Sequence, residues 1–362
     1  MDEITAPALL IDEDKCRRNI RHMATKATHS GVAFRPHFKT HQSVQVGRWF
    51  REAGVDRIAV SSLTMAKQFA DDQWSDIMVA FAVNAREMNL INQLAANIKL
   101  SILIADGDVL PLLQDGLKHP VGFYLKLDVG NHRSGIYHDD LQRIQHVLDQ
   151  AASFQNLVFR GFVAHAGHTY QTQSLNEVQR IFKKGGQYLA TTTGYFLQYY
   201  PDIISSWGDT PTCSLANDFF GINEIRPGNF VFYDLTQYHL ASCDWEQIGV
   251  AVAAPVVSRQ KERGEIVLYA GAVHLSKDTL DIPDTGPVYG EVVKLTPDGW
   301  ERFVEPLYVH RISQEHSIFR CPDIHWDEFA PGTLAGIIPV HSCLSADLLK
   351  GQFYNLKHHH FM

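Results

Sequence analysis

A few short stretches of this chain hold residues whose types and spacing could do chemistry. They are RPHFKTH (35–41), HAGHTY (165–170), GDTPTCS (208–214), RPGN (226–229) and PVHSC (339–343). The amine of Lys39 can condense with a carbonyl. The hydroxyls of Thr210 and Thr212 and the backbone N–H groups of Gly228 and Asn229 are the donors that cradle a phosphate. His341 and Cys343 stand two apart, and in an extended strand such residues project to one side, where an imidazole and a thiolate together suit zinc. Two protein ligands would leave the remaining sites of a tetrahedral shell to water or substrate, as in a catalytic metal centre.

The elements that must position these residues can be read from periodicity. After an opening strand PALLID and a helical stretch from about Glu13 to His29, eight β-rich runs alternate with helical patterns. The runs are 32–39, 57–62, 76–82, 99–106, 121–128, 158–166, 202–208 and 224–232. Between them lie segments such as HDDLQRIQHVLDQAAS, where Leu141, Ile144, Val147 and Leu148 recur on one helical face. Eight alternations predict a (β/α)8 barrel of the TIM type, with a doubly wound sheet as the competing arrangement. From about Trp245 the pattern changes to short β runs separated by TPDG and FAPGT, which predicts a smaller all-β domain. We therefore expect a barrel over 1–244, with the first strand able to join the β domain, and a β domain over 245–362 that carries His341 and Cys343.

Composition narrows the function classes. The 362 residues are 45% apolar and 20% charged, as in an ordinary globular protein, and the formal charge of −8 offers no basic stripe for nucleic acid. Acidic residues precede the first apolar run, where a signal peptide would carry basic ones, and no apolar stretch is long enough to span a membrane. A cytoplasmic protein acting on a small molecule is the expectation. Five scattered cysteines argue against a disulfide framework, and the closing LKHHHFM receives no role.

In a barrel of this kind the functional groups gather at the C-terminal ends of the strands, and phosphate is often held after strands seven and eight. Lys39 closes the first run, Thr210 and Thr212 follow the seventh, and Gly228 and Asn229 lie in the eighth. A lysine facing a phosphate cradle is what an enzyme using pyridoxal 5′-phosphate (PLP) requires. With LDVGNHRSGI (127–136) and RPGNFVFYD (226–234) added, the motifs resemble, in order and over nearly the whole chain, the D-serine dehydratase and D-threonine aldolase family. That family belongs to the PLP enzymes of alanine-racemase-like fold, or fold type III.

The resemblance implies a PLP barrel followed by a β domain, with Lys39 as the Schiff-base lysine. It implies phosphate binding by Thr210, Gly228 and Asn229, with Thr212 able to exchange roles with Thr210, and a cofactor-lining Tyr170. Arg133, seven residues after Lys126, resembles the arginine that contacts the cofactor's phenolic oxygen; an internal ion pair with Asp128 is the other reading. Arg226 resembles the arginine facing the pyridine nitrogen, whose protonated form a neighbouring cation disfavours. His165 or His168 could be a base or stacking partner, with His165 favoured because it ends the sixth run. PVHSC resembles the zinc-binding sequence of eukaryotic-type D-serine dehydratases, so His341 and Cys343 become the metal ligands implied.

A metal near the cofactor could make a substrate's β-hydroxyl leave or lower its pKa. The first gives dehydration of D-serine to pyruvate and ammonia; the second gives a D-threonine-type retro-aldol cleavage to glycine and an aldehyde. The histidine–cysteine ligand set tilts the reading to dehydration. Racemisation would need a second base, and no racemase-like tyrosine motif stands between 245 and 290. A catalytically silent PLP-binding protein would leave the metal pair unexplained. The preference for D-amino acids and a homodimer are both expected from the resemblance.

Overall fold

The computed structural model describes residues 1–172 and 174–362. They form two compact units, neither of them continuous in sequence: Arg21–Lys39 with Ser43–Gly228, and Met1–Ile20 with Thr40–Gln42 and Asn229–Met362.

The first unit is the barrel. Its eight strands are Ala33–Phe34, Ile58–Val60, Asp76–Ala82, Lys99–Ile104, Val121–Asp128, Leu157–His165, Ile204–Gly208 and Glu224–Ile225. Each pairs in parallel with its neighbour, and a parallel bridge between His37 and Ala59 joins the first to the second, so the ring closes. Ala59, Met78, Leu103, Tyr124 and Val163 pack together as one buried cluster. The doubly wound alternative is thereby excluded. Gly161 shows how tightly two strands approach: its φ is +139°, and a Cβ there would overlap the Ile204 carbonyl.

Two strands are much shorter than expected. The runs 32–39 and 224–232 shrink to two residues each because Pro36 and Pro227 cannot donate to a ladder. The backbone stays extended past the first of them, with the His37 N–H donating to the Pro227 carbonyl at 2.9 Å. The helix expected after HDD is Leu141–Ala152, capped by Asp140 and buried along Ile144, Val147, Leu148 and Ala151.

The second unit is a nine-stranded sheet. Its order is Glu265–Tyr269, His316–Arg320, Gly299–Ile312, Gly290–Thr296, Leu334–Pro339, Val250–Gln260, Ala8–Ile11, Phe353–Asn355 and His360–Phe361. Glu265–Tyr269 also pairs with Val250–Gln260, which curls six of the strands into a second, antiparallel barrel. Ala8–Ile11 lies between Val250–Gln260 and Phe353–Asn355 in this sheet.

The division between units falls at Gly228 and Asn229, sixteen residues before the expected boundary at 244. Residues 229–244 pack with the β unit because their polar groups are satisfied there. Asn229 Nδ2 donates to Asp234 at 2.6 Å and to Ser342 Oγ at 3.1 Å, and the Gly249 N–H donates to the Phe232 carbonyl at 2.7 Å. Among the described residues no helix is long and apolar enough to cross a membrane.

Candidate active site

In the barrel unit, the residues singled out from sequence gather where the strands end. Lys39 follows the His37 bridge and its side chain is exposed. His165 closes the strand Leu157–His165, half-buried, and its Nδ1 donates to the Gly208 carbonyl at 2.7 Å. The proton is therefore on Nδ1 and the Nε2 lone pair is available. Burial, together with the charges of Lys39, Arg133 and Arg226, holds His165 well below the usual imidazole range, so it stays neutral. Those same influences place Lys39, Arg133 and Arg226 around one ring. His168 is half-buried, and its Nδ1 has no hydrogen-bond partner among the described residues.

The two threonines separate clearly. Thr212 Oγ1 donates to Asp209 at 2.7 Å and accepts from Trp207 Nε1 at 2.7 Å, so its hydroxyl is spent on the fold. Thr210 Oγ1 is fully buried and without a partner among the described residues, and the Tyr170 hydroxyl accepts from the Thr210 N–H at 3.1 Å. A buried hydroxyl lacking a partner is costly unless a bound group satisfies it. Thr210, Tyr170 and the buried Gly228 thus fit a phosphate, and Thr210 rather than Thr212 is the hydroxyl able to serve it. Asp209 caps the turn that carries them; burial raises its carboxyl to about 6.

Arg226 is buried, and burial lowers it to about 10. Its Nε donates to Ser206 Oγ at 2.7 Å, and its Nη2 to the carbonyls of Ala164 and Ser206 at 2.8 and 3.1 Å. Sequence reasoning missed the support behind it. Ser206 donates to Glu224 at 2.6 Å, Glu224 accepts from Arg35 at 2.8 Å, and Arg35 reaches Asp76 at 2.7 Å. Only the alternation Glu224-x-Arg226 in the eighth β-rich run could have pointed to it.

Arg133 is exposed, and the ion pair with Asp128 is not formed. One Asp128 oxygen instead accepts the N–H groups of Gly130, Asn131 and His132 at 2.9–3.1 Å, which shapes the loop before Arg133. Lys126 is buried and donates to Ser134 at 2.5 Å. Burial and the charges of Arg133 and Arg226 lower Lys126 to about 8.

That value carries a prediction about stability. Between pH 8 and 10.5 the unfolded chain keeps a proton on Lys126 that the folded protein has lost, so stability rises with pH across this window. The penalty is complete below pH 8. Lys126→Met is expected to stabilise the protein at pH 7 by roughly 2–3 kcal/mol, with the advantage vanishing by about pH 10.5. Thermal melts of both proteins over that range check it; an advantage independent of pH would show that charge burial is not the cause.

In the β unit, the strand Leu334–Pro339 stops before His341, so the extended geometry expected of PVHSC is absent. His341 is instead the N-cap of the helix Ser342–Leu348, with Cys343 in its first turn. The cause is Asp234, a buried carboxylate that accepts from the Ser342 N–H at 2.9 Å and bends the chain. The two side chains still meet. Burial disfavours a charged His341, but hydrogen bonds to Asp278 and Cys343 and the nearby Asp234 raise it to about 11. These acidic partners hold a proton on the imidazole.

His341 Nδ1 lies 3.1 Å from Asp278, and a carboxylate so placed fixes the orientation of the ring. Cys343 Sγ lies 3.2 Å from Thr40 Oγ1, and Asn229 Nδ2 donates to it at 3.5 Å. Thr40 is the residue after Lys39, and Asn229 the residue after Gly228. Asn229 thus serves the thiol and Asp234 in this unit. Among the described residues no group of three or more His, Cys, Asp or Glu is arranged to hold a metal. Asp278, in SKDT, gave no sign of itself in sequence.

A closed parallel α/β barrel followed by an antiparallel β-barrel unit is the alanine-racemase-like fold. The model of the alanine racemase N-terminal domain matches residues 11–235, and that of the "Putative serine dehydratase domain" matches 249–354. The chain belongs to the D-serine dehydratase-like family of alanine racemase N-terminal domain proteins.

It is 30% identical to a D-serine dehydratase of Dictyostelium discoideum, over 96% of this chain and 92% of the relative. The solved structure of the D-threo-3-hydroxyaspartate dehydratase of Delftia sp. HT23 superposes with a TM-score of 0.86 at 26% identity, covering 96% of this chain and 93% of that one. A variant of that enzyme, with one cysteine replaced by alanine, is described as metal-free; it has a TM-score of 0.86 at 25% identity, over 96% of this chain and 93% of that one.

Proposed function

We propose that this protein is a PLP- and metal-dependent lyase acting on small β-hydroxy-D-amino acids, and that it dehydrates D-serine to pyruvate and ammonia. The observation that carries the reading is the His341–Cys343 pair backed by Asp278, which proton transfer at an α-carbon alone, as in a racemase, would not require. When bound, the cofactor supplies a sink for the electron pair left by the α-proton, and the metal a Lewis acid for the β-hydroxyl.

Lys39 would hold the cofactor through its amine, and the same amine, when free, could take the α-proton. Thr210, Tyr170 and the backbone N–H groups of Gly228 and Asn229 would hold the phosphate. Arg226 would serve the ring nitrogen, and Arg133 the phenolic oxygen. His165, neutral and fixed by the Gly208 carbonyl, gives the ring an uncharged neighbour. His341 and Cys343 hold the metal, with zinc the ion that suits this imidazole and thiolate.

The test is incubation of the PLP- and zinc-loaded protein with D-serine, D-threonine and D-threo-3-hydroxyaspartate, with 2-oxo acid assayed against glycine. Pyruvate from D-serine as the fastest reaction is expected. Glycine as the main product from D-threonine would instead establish aldol cleavage. Faster oxaloacetate formation from the hydroxyaspartate would keep the reaction and change the substrate.

A further inference from the structure

We propose that Ser206 and Glu224 act as a positioning relay, which keeps Arg226 fixed and fully charged toward the cofactor ring without neutralising it. The inference rests on the reading that Arg226 faces the ring nitrogen.

The hydrogen-bond directions allow one arrangement. Ser206 Oγ has a single proton, and at 2.6 Å from Glu224 Oε1 it must donate there, because an ionised carboxylate only accepts. The same oxygen then accepts from Arg226 Nε at 2.7 Å. Two backbone carbonyls occupy Nη2, and Nη1 makes no hydrogen bond among the described residues. Nη1 lies over Gly208, where an added Cβ would stand 2.8 Å from it. The guanidinium is therefore clamped by neutral acceptors, and one nitrogen is left to project.

Glu224 cannot move up to neutralise the guanidinium, because its other oxygen is held by Arg35 Nε at 2.8 Å and Arg35 is tied to Asp76 at 2.7 Å. The carboxylate stays one hydroxyl away from Arg226. A direct ion pair would lessen the positive potential at the ring, and an unsupported arginine would swing. The serine between them avoids both.

The other titratable groups around Arg226 are Tyr124, Cys213 and Arg35, with Lys126 and His165 also within reach of its charge. None of them changes in the variants below.

The experiment loads wild type, Ser206→Ala, Ser206→Thr and Glu224→Gln with PLP and follows cofactor absorbance against pH and cofactor affinity by fluorescence. With the hydroxyl gone, Ser206→Ala should raise the absorbance midpoint by about one pH unit and weaken PLP binding about tenfold. Ser206→Thr should restore both. Glu224→Gln removes a negative charge and should move the midpoint down, opposite to Ser206→Ala.

A folded Ser206→Ala protein with both quantities unchanged would overturn the relay, as would shifts of one sign in both variants. If Glu224→Gln does not fold, the Ser206→Ala and Ser206→Thr pair decides. Failure of the wild type to take up PLP would sink the cofactor reading and the relay together. PLP uptake through Lys39 with an indifferent Ser206→Ala would sink the relay alone.

Discussion

Lys39→Ala is expected to abolish the absorbance of covalently held cofactor and to lower turnover at least about 10³-fold, with the melting temperature of the cofactor-free protein unchanged. The fold should survive because the Lys39 side chain is exposed and fills no core. The structure also supplies a rival. Lys126 is the other amine close to this cluster, and burial lowers it to about 8, so it is the more readily deprotonated of ordinary lysines. Yet Lys126 is buried and committed to Ser134. Loss of the absorbance in Lys39→Ala and its retention in Lys126→Met would assign the linkage. The opposite pattern would move it to Lys126 and refute the central role given to Lys39.

Removal of the metal is expected to have an effect of similar size. Dialysis against a strong chelator, His341→Ala or Cys343→Ala should each lower turnover about 10²–10³-fold while leaving cofactor absorbance intact. Added zinc should restore the dialysed protein and neither variant. Asp278→Asn keeps both ligands and loses the carboxylate that orients the imidazole, so metal affinity should fall about 10–100-fold and excess zinc should recover most activity. Full turnover after chelation, with metal content confirmed as nil by elemental analysis, would remove the metal from the mechanism.

Much of the architecture was legible because it rests on local periodicity. Eight β-rich runs alternating with amphipathic helices predict a parallel sheet with a barrel as its first reading, and Ile144, Val147 and Leu148 line their helix as their spacing predicts. The points of failure have physical causes. Pro36 and Pro227 cut the first and last strands short, and the boundary moved from 244 to 228 because Asn229 and Asp234 bond to Ser342, a partner more than a hundred residues away. His341 and Cys343 come together for a reason other than the one expected: a helix N-terminus, not an extended strand, turns them toward each other.

Within the site, residue types near strand ends could be read directly, whereas the groups behind them could not. Thr210 and Thr212 look equivalent in GDTPTCS until Trp207 and Asp209 claim the second hydroxyl. Ser206, Arg35, Asp76 and Asp278 are ordinary polar residues in sequence. Their importance comes from partners brought close only by the closed sheet, and no local pattern records such pairs.

The strand Ala8–Ile11 bears on how the chain is made. It leaves the ribosome well before its partners, since Ile11 pairs with Val250 and Asn355. At about 5–20 residues per second, the roughly 240 intervening residues take about 10–50 s to synthesise, during which this apolar segment has no sheet to enter. The barrel unit, complete once Gly228 has emerged, can fold in that interval. A nascent chain halted before residue 250 should therefore carry a finished barrel and a bare, sticky amino-terminal strand, which makes that strand the natural place for a chaperone to hold.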